Sequence, residues 1–481
     1  MFTGRNLPIA WVVVGGILLG LAVALGAESA QFDWALNLID IPARALAAGL
    51  VVAGLVFLIV LPLVRATVAL DSDLQRRCLG LVIAMGLAMR LVMFATEPAL
   101  EDDQQRYLWE GAVAAHGLSP YALSPDKAKS ADRNTALGQL AETAGPVLDR
   151  VNHPNLKTIY PPVAIASFAL AHWISPFSLT AWRGVLLSAE CVTLLLLLAL
   201  LRDIGRPALW SALYWWNPIP IKEIMNSGHM EGILVPLLLL ATMLAVRRKP
   251  VASTAVLGLA VGVKIWPLLL TPVLLRPWWR EWRVVCASLA ILAVLGGLWA
   301  APILLGGLDV SSGFVAYAQQ WQANSALLPA LREAVRHLLS GWDVSADIAG
   351  RIARLLLATA AAIAAVALAL PAIASRADLM RRVAAVTLVL VLVSPAQFPW
   401  YMLWTLPFLP FAPRLGVMLM AVLTPLYYLS FHFGALNLYA IFRDRVVWVI
   451  WVPIWIVLAA ELVAARFRSG KANVQQPSRA D

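Results

Sequence analysis

The sequence predicts an all-α, polytopic membrane protein, built as a bundle of about twelve transmembrane helices. Of its 481 residues, 61% are hydrophobic and 13% are charged, and the mean hydropathy is +0.78. Apolar runs recur along the whole chain, and each spanning helix needs roughly 20 mainly apolar residues. These runs leave no room for a large soluble domain, so we expect the functional residues in the loops.

We predict that residues 1–465 form this single transmembrane domain and that 466–481 form a disordered cytoplasmic tail. The apolar run Pro8–Gly26 follows Arg5 and is longer than the core of a usual signal peptide. It is therefore predicted to be a retained first helix, with cleavage as the alternative.

Charge distribution predicts how the chain is threaded. Short clusters of Arg and Lys between apolar runs indicate the cytoplasmic face. This assignment puts the loops 98–160 and 306–349 outside, and the first of them has nine acidic and six basic residues between Glu97 and Lys157. We therefore predict an integral plasma (inner) membrane protein with its active site facing the periplasm or exterior.

Two segments must be irregular for this threading to hold. Pro161–Ile174 is predicted to be a short helix on the membrane surface, because a full crossing would put the next three basic clusters outside. Val251–Leu275 has basic residues on both sides but is too short for two crossings. A re-entrant helix pair, broken at residues 264–267, is predicted there.

Some functional classes are excluded. The formal charge of +10 is typical of nucleic-acid-binding proteins, but here the basic residues orient helices, so no nucleic-acid partner is expected. Cys78, Cys191 and Cys286 have no paired spacing, which argues against a disulfide framework or a zinc site. The lipid bilayer is the first predicted partner.

Two adjacent carboxylates, Asp102 and Asp103, follow an apolar segment and begin a predicted helix. The residues that share a helix face with them at intervals of three or four are Arg106, Tyr107 and Glu110. An Arg beside a carboxylate holds it in its charged form, and such a group can accept a proton from a substrate hydroxyl. The alternative is an ordinary acidic first turn of a surface helix.

Further polar residues are candidates for binding. His153 and Tyr160 are candidates for a sugar site, against a structural His and an interfacial Tyr as alternatives. A cluster between apolar segments consists of Lys222, Glu223, Asn226, His229 and Glu231. We expect Lys222 or His229 to contact a phosphate and Glu231 to pair with either, unless the segment is a plain solvated turn.

A divalent metal is one further hypothesis, although no cofactor is required by any motif. Its ligands would be Asp102, Asp103, His229 and Glu231, whose spacing matches no fixed ligand pattern.

Lys264 is the single charge within Gly258–Leu275 and lies near the break of the re-entrant pair. A lone ammonium there must meet an anion or water, and a lipid phosphate is a natural partner. Snorkelling, or pairing with Glu190 or Glu461, is the alternative. Farther on, Trp400, Tyr401 and Trp404 are predicted to form an aromatic belt at the outer membrane surface, with a sugar platform as the alternative.

Together these motifs resemble the GT-C superfamily of membrane glycosyltransferases, and most of all glycosyltransferase family 87. The resemblance rests, in chain order, on Asp102-Asp103-x-x-Arg106-Tyr107-Leu108-Trp109-Glu110-Gly111, Ser119-Pro120-Tyr121, Asn152-His153-Pro154, Ile159-Tyr160-Pro161-Pro162, Ser227-Gly228-His229, Val263-Lys264-x-x-Pro267, Ser394-Pro395 and Pro399-Trp400-Tyr401. The chain departs from the pattern at Glu110, where Asp is expected, and at Gln104-Gln105, where apolar or aromatic residues are more usual.

The resemblance implies an inverting transfer of a sugar, mannose being common in the family, from a polyprenyl-phosphate donor to a hydroxyl of a glycan or glycolipid acceptor. It implies that Asp103 is the general base, supported by Asp102. For the donor phosphate the implied order of candidates is Lys264, then Lys222, Arg106 and His229. For the sugar and acceptor the candidates are Tyr107, Glu110, His153, Tyr160, Glu231, Trp400 and Tyr401.

Two alternatives remain at this point. A flippase for lipid-linked sugars would need no base, but it would be expected to carry an internal duplication and polar residues along several helices. A ligase of the same superfamily would use a glycan linked to a lipid diphosphate.

Overall fold

The computed structural model describes residues 6–33, 36–69, 72–342 and 345–474. Over these ranges the chain is helical, and eight helices are long and apolar enough to cross a membrane. The spans are Leu7–Ala27 (α1), Ala43–Val68 (α2), Ser72–Phe94 (α3), Leu179–Asp203, Trp282–Leu305, Ala346–Ala369, Leu415–Ala435 and Tyr439–Phe467. The prediction of an all-α polytopic membrane protein is confirmed.

Eight spans are fewer than the predicted twelve, because several apolar stretches are interrupted. The long loop 98–160 contains Asp103–Ala115 (α4) and Ala136–Ala144 (α5). The next apolar helices, all shorter than a bilayer, are Pro162–Ile174 (α6), which precedes Leu179–Asp203 (α7), and then Glu231–Val246 (α8) and Pro250–Val261 (α9). Prolines and turns of 3₁₀ or π type break the stretches 208–230 and 399–408.

The remaining helices complete the second half of the chain. They are Trp282–Leu305 (α10), Gly313–Gln320 (α11), Leu327–Leu338 (α12), Ala346–Ala369 (α13), Arg376–Val393 (α14), Leu415–Ala435 (α15) and Val447–Val474 (α16). Helix α16 continues to Val474, so the first part of the predicted disordered tail is helical. Residues 475–481 and Arg5 lie outside the described residues.

The ends of the predicted re-entrant segment meet the same end of the bundle. Arg247, just before α9, donates to the Asp203 carboxylate at 2.7 Å, and Arg376 donates to the Asp203 carbonyl at 3.1 Å. Arg276, just after the segment, donates to the Leu370 carbonyl at 3.0 Å. Since the loop that contains Leu370 leads directly to Arg376, the chain leaves this basic end and returns to it, as a re-entrant pair must.

The two long loops that the sequence predicts to be external contact each other at the opposite end. The Lys157 ammonium donates to the Asp309 carboxylate and to the Gly306 carbonyl, each at 2.8 Å. Nearby, α4 packs along α6, and Gly111 lies so close to the Phe168 backbone that an added Cβ would lie 2.5 Å from its carbonyl oxygen. These contacts fix α4, and with it the acidic pair, against the rest of the protein.

Candidate active site

A cavity of about 880 Å³ opens beside the first turn of α4. Its lining includes most predicted site residues, namely Asp102, Asp103, Arg106, Tyr107, His153, Tyr160, Glu231, Lys264, Trp400 and Tyr401. Apolar side chains also line it, among them Phe32, Leu36, Phe314, Leu357, Ala361 and Leu390. One space therefore holds both the acidic pair and Lys264, next to surfaces that suit hydrocarbon.

The acidic pair is held by one amide. Asp102 is the N-cap of α4 and Asp103 its first residue. The Asn152 amide donates to the Asp102 carboxylate at 2.9 Å and to the Asp103 carboxylate at 2.8 Å. The other oxygen of Asp103 lies 3.5 Å from the Tyr107 hydroxyl, and the Asp103 side chain is 23% exposed. Asp103 is thus oriented by the protein and accessible from the cavity.

Arg106 acts on Asp102 in the predicted direction, but only weakly. Loss of hydration and then the charge of Asp103 raise the pKa of Asp102 to about 6, because Asn152 and Arg106 offset them only in part. That Arg106 holds the pair charged therefore stays a prediction. The ion pair of Arg106 is formed with Glu110, at 3.0 Å.

Arg106 instead connects α4 to the loop around residue 152. Its guanidinium donates to the carbonyl oxygens of His153 and Leu156 at 2.8 and 3.2 Å. Glu110, its ion-pair partner, accepts from the Thr158 hydroxyl at 2.6 Å and does not line the cavity. Both residues therefore position the site, and Glu110 has no direct access to a substrate in it.

Lys264 forms a buried ion pair with Glu231 at the start of α8. The ammonium also lies over the rings of Tyr401 and Trp404, 4.3 and 5.1 Å from their centroids. Its side chain keeps 20% exposure toward the cavity. Lys264 therefore has capacity for a second anion.

The alternative partners predicted for Lys264 are wrong. Glu190 forms a fully buried ion pair with Arg90 at 2.8 Å, which connects α7 to α3. Glu461 accepts from the backbone N–H of Leu415 at 2.7 Å.

The predicted aromatic belt is also wrong. Trp400, Tyr401 and Trp404 are at most 7% exposed, so they lie inside the protein and not at a membrane surface. The Tyr401 hydroxyl is 2.9 Å from that of Tyr317, and Trp400 stacks on the His229 ring at 4.0 Å. Trp400 and Tyr401 line the cavity, as the platform alternative requires.

The segment 222–231 is buried and not a solvated turn. Lys222 lies 3.5 Å from the Glu223 carboxylate and donates to the hydroxyls of Ser227 and Tyr428. Neither Lys222 nor His229 lines the cavity. In this structure, therefore, neither side chain is exposed to a donor phosphate in the cavity, although the prediction required such exposure.

The four predicted metal ligands are not brought together. Glu231 is paired with Lys264, and Asp102 with Asn152. His229 faces Glu101 and Glu223 instead, with its Nε2 3.9 and 3.5 Å from their carboxylate oxygens.

Sequence reasoning missed several residues around the cavity. Asn152 was part of a motif, but no spacing relates it to the acidic pair 49 residues earlier. Arg354 and Trp321 also line the cavity, and the Arg354 guanidinium donates to the Trp321 carbonyl at 2.8 Å. A signal existed for Arg354, because it lies further into the spanning helix α13 than the other charged residues of that helix, Asp347 and Arg351.

Comparisons with known proteins identify the type of enzyme. The family model of glycosyltransferase family 87 matches residues 158–395. A curated relative, alpha-(1->6)-mannopyranosyltransferase A of Corynebacterium glutamicum, is 24% identical over 210 residues, which cover 40% of this chain and 38% of the relative. No solved structure matches the chain. These matches and the apolar helices identify the chain as a membrane glycosyltransferase that resembles glycosyltransferase family 87.

Proposed function

We propose that the protein transfers a hexose from a polyprenyl-phosphate donor to a hydroxyl acceptor, with inversion, at the external face of the membrane. The observation that carries this proposal is the shared cavity: an accessible carboxylate, Asp103, and an ammonium, Lys264, line one space together with apolar side chains. A lipid-linked sugar needs all three kinds of surface.

Asp103 is the general base. Asn152 and Tyr107 hold its carboxylate in place, and its exposure leaves room for an acceptor hydroxyl. The acceptor oxygen attacks the anomeric carbon from the side opposite the phosphate, while Asp103 takes the hydroxyl proton. A new glycosidic bond forms as the bond between the anomeric carbon and the phosphate oxygen breaks.

The lipid phosphate leaves with the bonding electrons, so a cation must stabilise its developing charge. Lys264 is that cation, since it reaches the cavity. Its pairing with Glu231 orients the ammonium before the donor arrives. A second carboxylic acid is not needed, in contrast to ordinary glycosidases, because a phosphate is already a good leaving group.

Mannose is the sugar proposed, because the curated relative is named as a mannopyranosyltransferase. The match spans only 38% of that relative, so the sugar and acceptor are to be tested across a panel.

The test is transfer by purified protein in nanodiscs, with a radiolabelled polyprenyl-phosphate hexose as donor and a set of glycolipid acceptors. Asp103→Asn is expected to lose transfer by about 10²- to 10⁴-fold, the usual contribution of a general base, and to bind the donor normally. Asp102→Asn, its matched neighbour, is expected to lose far less. Translocation of the donor without transfer, or equal effects of the two substitutions, would contradict the proposal.

A further inference from the structure

Three side chains with metal-ligating atoms meet beside the cavity, which Glu101 lines and Glu223 and His229 do not. Glu101 precedes α4, Glu223 lies in the π-type turn 221–226, and His229 follows it. One ligating atom from each lies within 4.8 Å of the other two. Glu223 and His229 are completely buried, and the Glu101 side chain is 6% exposed.

The cluster contains polar atoms that lack hydrogen bonds to any described residue. Both ring nitrogens of His229 and one carboxylate oxygen of Glu101 are in this state. Unsatisfied buried polar groups are costly and call for a specific explanation. Stacking against Trp400 fixes the plane of the imidazole, so that its Nε2 points between the two carboxylates. The ring therefore presents a lone pair to a small space bordered by anionic oxygens.

Three carboxylates face the imidazole, and the cations that act on it are Lys222 and Lys264. The carboxylates of Glu101, Glu223 and Asp103 all face it, at 3.9, 3.5 and 3.8 Å. Lys222 approaches this group but is engaged by Glu223 and by the Tyr428 hydroxyl.

We propose that Glu101, Glu223 and His229 bind a divalent transition-metal cation of the Mn²⁺ or Zn²⁺ type. One imidazole and two carboxylates suit these ions, whereas Ca²⁺ and Mg²⁺ prefer oxygen ligands alone. Ligand atoms about 3.4 Å apart surround a tetrahedral ion with bonds of ~2.1 Å, and the separations of 3.5 and 3.9 Å require only a small contraction.

The other side of the imidazole connects the cation to Asp103. A metal-bound histidine usually donates its second N–H to a carboxylate, which fixes the tautomer. Here Nε2 faces the metal site and Nδ1 faces the Asp103 carboxylate at 3.8 Å. The cation thus orients the proposed base through His229. This last step rests on the proposed function, whereas binding of the cation does not.

The test is a titration of the full-length, chelator-treated protein in nanodiscs with Mn²⁺ alone, followed by the EPR signal of free Mn²⁺. Wild type is expected to bind one Mn²⁺, to be thermally stabilised by it, and to release it to Zn²⁺. Glu101→Gln and His229→Gln are expected to weaken binding by at least ~10-fold, and Asp103→Asn by about that factor as an outer ligand.

Glu142→Gln is the control, because Glu142 is an exposed carboxylate of the loop 98–160 that neither lines the cavity nor belongs to the cluster. It should bind Mn²⁺ like wild type. If His229→Gln does not fold, Glu101→Gln decides the test. One oxygen of the Glu101 carboxylate has no hydrogen-bond partner among the described residues, and the substitution puts a neutral amide of equal size in its place. Absence of saturable Mn²⁺ or Zn²⁺ binding, or unchanged binding by Glu101→Gln, would overturn the proposal. No donor or acceptor is present, so failed sugar transfer would not affect this result.

Discussion

At the residue scale, the acidic pair has an unequal environment although one amide serves both members. Asn152 donates to Asp102 and to Asp103 at nearly the same distance. Loss of hydration and then the charge of Asp103 raise the pKa of Asp102 to about 6. Asp102 therefore changes its charge in a pH range in which an isolated aspartate is already ionised.

This shift predicts a pH-dependent stability for Asp102→Asn. Folded Asp102 binds its proton up to about pH 6, whereas the unfolded residue releases it near pH 4, so wild type loses stability as pH rises between these values. Asp102→Asn removes that loss. Its melting temperature relative to wild type should rise from pH 4 to pH 7, by up to about 1 kcal/mol in stability after allowance for solvent screening.

Asp126→Asn provides the control, because it changes an exposed aspartate in the same loop. Thermal melts in nanodiscs at matched pH values would give the comparison. A difference between Asp102→Asn and wild type that is the same at pH 4 and pH 7 would rule out the proposed environment of Asp102.

Arg106→Lys separates a positioning role from phosphate binding. The planar guanidinium donates to the Glu110 carboxylate and to the backbone carbonyls of His153 and Leu156, just after Asn152, and one ammonium cannot reproduce this set. We expect kcat to fall by at least ~10-fold with a nearly unchanged donor KM, because a small misplacement of a catalytic group is costly. Steady-state kinetics would measure both, and a raised KM at normal kcat would make Arg106 a phosphate ligand instead.

Residue patterns predicted the charged members of the site better than their partners. Asp103 and Lys264 stand out because each interrupts or borders an apolar run, where a charge needs a reason. Their partners Asn152 and Glu231 lie 49 and 33 residues away. Nothing in the local sequence specifies such pairings, since tertiary packing determines them. Trp400 shows the converse problem. It stood out in the sequence, but residue type alone does not distinguish a buried aromatic side chain from one at the membrane surface.

At the element scale, a helical hairpin carries Lys264 to the cavity. Helix α8 begins at Glu231, runs to the basic end of the bundle, and α9 returns, so that Lys264 again meets Glu231. The sequence predicted a re-entrant pair over Val251–Leu275, with its break at residues 264–267 and its return indicated by basic residues on both sides. The pairing of Lys264 with its own hairpin was not predicted.

The Lys264–Glu231 ion pair of this hairpin predicts two effects that variants can separate, one on stability and one on donor binding. Lys264→Met leaves the Glu231 carboxylate, whose side chain is 1% exposed, without its cation, which should cost about 3–5 kcal/mol of stability. The double variant Lys264→Met/Glu231→Gln should regain most of the melting temperature, because no uncompensated charge remains. Donor binding should stay lost in both variants.

Thermal melts and equilibrium binding of the labelled donor would check this pair of variants. If the double variant binds donor as wild type does, Lys264 serves only the hairpin, and the leaving phosphate must be stabilised by another cation. Arg354 is then the next candidate, because it lines the same cavity.

At the scale of the whole molecule, hydropathy predicted the class of fold, whereas the predicted number of spans is not confirmed, since eight helices of the described residues are long and apolar enough to cross a membrane. Apolar composition alone does not distinguish a spanning helix from α6, or from the buried turns around residues 218–226 and 399–408. Charge was the better guide to threading. The residues Arg247, Arg276 and Arg376 come from separate clusters and meet at one end of the bundle.

This threading predicts the side from which the cavity loops are accessible. The basic end should face the cytoplasm, because positively charged loops are retained there, and the loops 98–160 and 306–349 should then face outside. Single cysteines at the exposed positions Asp126 and Ser340 test these loops, and one at Arg280 tests the basic end. The background would first have Cys78, Cys191 and Cys286 replaced by Ser, since all three are free thiols.

A membrane-impermeant maleimide added to intact cells should label positions 126 and 340, and should reach position 280 only after permeabilisation. The orientation matters for the chemistry as well as the topology. Asp103 begins α4 within the loop 98–160, and Lys157 ties that loop to the second one through Asp309. Both loops must therefore lie on one side. Labelling at 126 but not at 340 in intact cells would contradict the fold itself, whereas labelling at 280 alone would keep the fold and move sugar transfer to the cytoplasmic face.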